Sequence, residues 1–200
     1  MQKNIAFALL FLACTFTVYT RISITDDQAI QFLEGFSHVF GLDDACSTLV
    51  VCINETAPHT WNDLKLAIQA LEHRNFTGAV AELILFFKDI EDLNDTCSNG
   101  VDPYLVTFGP AIQAFEHNRT AFEKTLLKNL ASQPGQVATS ALHLEQDLKK
   151  QDYHAAGEDF GQIAQIALNG YINTTSHVVA AHPFKFVKPA KAGFLSKMIN

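Results

Sequence analysis

Apolar residues recur at three- and four-residue spacing along most of the chain, the period of an amphipathic helix, while two-residue alternation is nearly absent. Thr25-Asp-Asp-Gln28 has the form of a capping box. It opens a predicted helix that carries Ile30, Leu33, Phe36, Val39 and Phe40 and stops at Gly41. A short helix is expected over residues 43–53, with a strand over 47–53 as the alternative. Thr60 marks the next start, followed by Trp61, Leu64, Ile68 and Leu71 on one face and a stop near Arg74. A further helix is expected over 78–92 through Val80, Leu83, Ile84, Phe87 and Ile90, forming an antiparallel hairpin with its predecessor. Pro103 and Pro110 suit helix starts ahead of a segment reaching Leu130, with a break near Asn118 as an option. Gln133-Pro-Gly135 reads as a turn, and two last helices are expected over 137–150 and 153–168. The expected fold is all-α, a bundle or short array of antiparallel helical hairpins.

The pattern also repeats. Ile68-Gln-Ala-Leu71-Glu-His73 returns as Ile112-Gln-Ala-Phe115-Glu-His117, each copy followed within two residues by an Asn, Asn75 or Asn118. A looser copy matches Leu71, Asn75, Phe76, Ala79 and Glu82 to Leu148, Asp152, Tyr153, Ala156 and Asp159. Stacked helix-turn-helix units and chance likeness among amphipathic helices both account for this.

Two ends stand apart from the helical stretch. Residues 1–20, with Lys3 ahead of an apolar run from Ile5 to Phe16, have the order of a signal peptide, and cleavage is expected between Phe16 and Ser23. A retained anchor is the alternative, although the run is shorter than the roughly 20 apolar residues of a membrane span. Residues 21–172 would form the helical domain and 173–200 a tail. Within the tail stand Phe184, Lys185, Phe186, Lys188, Lys191, Phe194 and Lys197, with prolines at 183 and 189. Formal charge is +4 over residues 160–200 and −11 over the remainder, within a total of −7.

Composition excludes a disordered chain, since 48% of residues are apolar and 18% charged. Five Asn-x-Thr/Ser sequons lie at Asn54, Asn75, Asn94, Asn118 and Asn173, and they fall where predicted helices end. Sequons are used only in a secreted chain, so N-glycans are expected at these positions. With Cys14 in the leader, Cys46, Cys52 and Cys97 remain. Cys52 and Cys97 flank the open end of the predicted hairpin and are expected to pair. Cys46 is then the spare thiol, with a Cys46–Cys97 bridge as the alternative.

Asp152-Tyr153-His-Ala-Ala156-Gly157-Glu-Asp159-Phe-Gly161 resembles the Asp-Tyr-x-x-Ala-Gly-x-Asp-x-Gly segment of a group of secreted, helix-rich, functionally uncharacterised proteins found chiefly in ciliates. The likeness extends loosely from Phe32 to Leu168, taking in Phe32-Leu-Glu-Gly-Phe36, Cys52, Cys97 and Lys128-Asn129-Leu130. Gln151 departs from it, standing where a small residue, commonly Gly, would tighten the turn. The resemblance implies a secreted helical fold and no activity. Independently, Gly157 and Gly161 lie one turn apart on one face, which allows another helix to come close. Asp152 is expected to cap its helix, while Asp159 reads as a buried hydrogen-bonding carboxylate, a cation ligand or a solvated charge.

No Gly-x-Ser-x-Gly elbow, phosphate loop or His-Glu-x-x-His pair occurs in the chain, so no enzymatic activity, catalytic residue, cofactor or metal is expected. His73 and His117 suit helix C-termini. The apolar run Ile84–Phe87 implies a central core helix or a subunit contact. An acidic body with a basic aromatic tail is complementary to copies of itself, so the expectation is a secreted, extracellular or cell-surface structural glycoprotein that assembles into a filament, sheath or coat. The tail would be the connector. The alternatives are a soluble carrier of an apolar ligand and an anionic polysaccharide or membrane surface as partner of the tail. No nucleic-acid partner is expected of a secreted, net acidic glycoprotein.

Overall fold

The computed structural model describes residues 23–172, all-helical apart from turns. Eight α-helices follow in order: α1 Asp26–Val39, α2 Asp43–Thr56, α3 Trp61–Glu72, α4 Phe76–Glu91, α5 Asn94–His117, α6 Arg119–Ser132, α7 Pro134–Lys150 and α8 Tyr153–Ala167. A 3-10 turn, Pro58–Thr60, leads into α3. The leader and the tail, including Asn173 and every tail residue named above, lie outside the described residues.

The local signals act as chemistry requires. The Thr25 hydroxyl accepts from the Gln28 backbone N–H while the Gln28 side chain accepts from that of Thr25, closing the capping box. Gly41, with φ +68°, ends that helical stretch in a conformation that disfavours a Cβ. The strand alternative over 47–53 is not taken, because those residues lie inside α2 and bury Leu49 and Ile53 on one stripe.

One expectation is corrected. Pro103 and Pro110 do not begin helices; both stand inside α5. An interior proline costs about 3 kcal/mol, but Tyr104, Phe108, Ala111, Ile112 and Phe115 form a buried stripe on this helix, and each large apolar side chain contributes roughly 1.5–3 kcal/mol on burial. The helix is interrupted instead at Cys97, with φ −121° and ψ 23°. The start expected at Thr60 holds, since α3 begins at Trp61, although Thr60 makes no side-chain cap. The 3-10 turn runs directly into α3, so Thr60 already has helical dihedrals and makes no capping bond.

Helix α1 is the centrepiece, packed chiefly on α8 and also on α2 and α3. Backbone contact makes that pairing tight. A Cβ at Gly35 would collide with the His154 carbonyl of α8, and one at Gly157 would collide with the Phe32 carbonyl of α1. Gly161 faces the Val39 side chain. The two segments that carry the resemblance therefore meet each other, and Phe32 and Phe160 add a ring contact at 5.7 Å.

Around this pair the aromatic core is continuous. Phe36 lies 5.8 Å from Phe108 and 6.0 Å from Phe87, and Phe87 stacks on Phe108 at 4.3 Å. Ile84, Phe86 and Phe87 are fully buried, so α4 is a core helix. Among the described residues no helix is long and apolar enough to cross a membrane.

Candidate functional site

The expected disulfide joins Cys52 of α2 to Cys97 at the kink of α5, with the Cα atoms 5.9 Å apart. It brings Asn54 and Asn94 to the same end of the molecule. Cys46 is a free thiol, 1% exposed. It lies against a buried Ser37–Tyr104 hydroxyl pair at 2.6 Å, which offers it hydrogen bonds, and burial raises its pKa. A thiol so placed is protonated and shielded, the opposite of a reactive cysteine.

Four of the five sequons lie in the described region, and three of them use the Asn side chain structurally. Asn75 caps α4, its Oδ1 accepting from the Gly78 backbone N–H at 2.9 Å and from the Thr77 hydroxyl at 3.3 Å. Asn118 ends α5 and caps α6 through Ala121 N–H at 3.0 Å. Asn54, in the last turn of α2, accepts from the buried Trp61 indole N–H at 2.9 Å. All three residues are exposed. Asn94, in the first turn of α5, is partly buried and its Oδ1 is enclosed without a hydrogen-bond partner.

The repeat resolves into geometry. Asn75 N–H donates to Ala70 C=O and Arg74 N–H to Leu71 C=O, the two bonds of a Schellman ending, with Arg74 at φ +58°. Asp152 N–H donates to Asp147 C=O and Gln151 N–H to Leu148 C=O, with Gln151 at φ +60°. Asp152 then caps α8 through Ala155 N–H at 3.2 Å. The hairpins α3–α4 and α7–α8 thus share one turn. The turn at Asn118 lacks the left-handed residue, because His117 is followed directly by the capping Asn. His73 and His117 do stand at the ends of α3 and α5.

Carboxyl groups meet across each of these two hairpins. Asp159, 8% exposed, has its pKa pushed up to about 7, first by burial and then by the charge and hydrogen bond of Asp147. Lys150 holds Asp147 at 2.9 Å, and His143 Nδ1 stands 3.9 Å from Asp159. In the other hairpin burial, followed by Asp89, lifts Asp63 to about 6. Each pair can share a proton between its two carboxyls. Asp147, Asp89 and the role of Gly35 escaped the sequence reading; Asp147 gave one local hint, since a carboxylate in the last turn of a helix opposes the helix dipole.

Among the described residues no group of three or more His, Cys, Asp or Glu side chains is arranged to hold a metal ion. No protein-family model, no curated protein and no solved structure matches this chain.

Proposed function

We propose that this chain is a secreted, N-glycosylated structural glycoprotein that self-assembles into an extracellular filament, sheath or surface coat, related to the uncharacterised secreted helical proteins it resembles. The observation that carries the reading is the Cys52–Cys97 bridge together with the exposed sequon residues Asn54, Asn75 and Asn118. Disulfides persist in oxidising compartments, and those are the compartments in which sequons are used.

Assembly rests on charge. The excess of +4 over residues 160–200 complements −11 on the rest of the chain, and Phe184, Phe186 and Phe194 supply apolar anchors between lysines. Head-to-tail contacts that do not close on themselves propagate into a filament. Light scattering and electron microscopy of the full chain purified from the medium of secreting cells should show high-mass particles. Deleting residues 177–200 should reduce them to single chains. A monomer of unchanged size before and after the deletion refutes assembly.

A further inference from the structure

We propose that Asn54, Asn75 and Asn118 each serve twice: Nδ2 carries an N-glycan while Oδ1 of the same amide remains a structural acceptor. The proposal rests on the secretory reading above and deepens it to named atoms. In all three a bonded partner is an N–H group with no lone pair to offer, namely Trp61 Nε1, Gly78 N and Ala121 N, with the Thr77 hydroxyl a second, longer donor to Asn75. Only the amide oxygen satisfies such a donor. Nδ2 is therefore the atom left outside the bond on three exposed residues.

Asp152 supplies the control within the molecule. It caps α8 in the same turn as Asn75 caps α4, and it does so with a carboxylate. Asn and Asp are about equally good caps. The fold therefore asks only for an oxygen at these places, and Asn rather than Asp at 75 and 118, each with Thr two residues on, answers a second requirement that an amide nitrogen meets. Gly78 makes room for the capping side chain, since the whole Asn75 carboxamide lies where a Cβ at Gly78 would stand. Asn94 differs, since no donor holds its enclosed oxygen.

The chemistry leaves the cap intact. Transfer from a lipid-linked oligosaccharyl pyrophosphate forms a bond between Nδ2 and sugar C1 and breaks that between C1 and the pyrophosphate oxygen. Lipid pyrophosphate leaves and one amide proton is lost. The carbonyl keeps both lone pairs, so the glycosylated Asn accepts the same bond.

The full chain, expressed in secreting eukaryotic cells, would be treated with an N-glycan amidase in heavy-oxygen water and mapped by mass spectrometry. Heavy aspartate is expected at 54, 75 and 118. Export with sugar only elsewhere overturns this inference and leaves the secretory reading standing, whereas a chain held in the cell without sugar overturns both. In unglycosylated chain from bacteria, Asn75→Asp should melt with the wild type and Asn75→Ala about 2–4 °C lower. Thr77→Ala, which removes the sequon and only the longer of the two bonds to the cap oxygen, should melt closer to the wild type than Asn75→Ala does in the same bacterial chain. Equal melting of Asn75→Ala and wild type overturns the structural half.

Discussion

Gly35 and Gly157 are reciprocal: each lies against the backbone of the helix that carries the other, Gly35 under the His154 carbonyl and Gly157 under that of Phe32. Backbone cannot rotate aside as a side chain can. Gly157→Ala must therefore separate α1 from α8 and loosen the ring contacts of Phe32 and Phe36 with Phe160. The expected loss is about 3 kcal/mol, read as a lower urea midpoint. An unchanged midpoint would show that the helices do not approach so closely.

Gln151 holds φ +60° at the end of α7, where a Cβ is strained and glycine is not. Gln151→Gly should stabilise the protein by about 0.5–1 kcal/mol, the relief of strain exceeding the added freedom of the unfolded chain. A thermal midpoint raised by roughly 2–4 °C is the expected result.

Asp159 binds its proton more tightly in the fold than in the unfolded chain, with a pKa of about 7 against an ordinary 3.8. Between these values the folded state holds more protons, so the contribution is full below the ordinary value and is lost as pH rises through about 7. His38, raised by its hydrogen bond to Asp43, acts in the same sense but is exposed and weak. Glu145, lowered first by Lys149 and also by Arg74, acts in the opposite sense at lower pH. Stability should therefore fall from pH 5 to pH 8. Asp159→Asn, which removes the titration, should flatten that slope by at least the ~1.4 kcal/mol of one pKa unit. A variant with the wild-type slope would assign the dependence elsewhere.

Cys52 and Cys97 close a loop across a sequence separation of 45. Chain-entropy arguments put the stabilisation near 3–4 kcal/mol. Cys97→Ser should lower the denaturation midpoint accordingly. In the wild type under non-reducing conditions, Cys46 should resist alkylation until denaturant unfolds the chain. Modification of Cys46 in the native protein would contradict its burial.

Helix content was legible because it is written locally: the Thr25–Gln28 box, the apolar stripe of α4 and the pairing of Cys52 with Cys97 all follow from spacing. Gly157 and Gly161 announced that some helix would come close. They did not say which one, because α1 is distant in sequence and its own Gly35 carries no periodic signal. The prolines misled for the same reason. Their local cost is visible in sequence, while the burial of Tyr104 and Phe108 that outweighs it depends on neighbours supplied by α1 and α4.

The repeat marks the boundary most clearly. By residue identity the nearest relatives are Ile68–His73 and Ile112–His117, yet the turns that share hydrogen bonds and a left-handed residue are those before Asn75 and Asp152. Sequence alone determined a helical body, most of its helix positions, Cys52–Cys97 as the first of two open pairings and where the sequons stand. Tertiary structure decided which helices touch at the backbone, that Cys46 is enclosed, and that Asp159 is buried and Asp63 partly buried beside other carboxyls. Helix formation is governed by residues within four positions of each other. Close packing and desolvation are set by residues far apart in the chain, whose meeting no local spacing records.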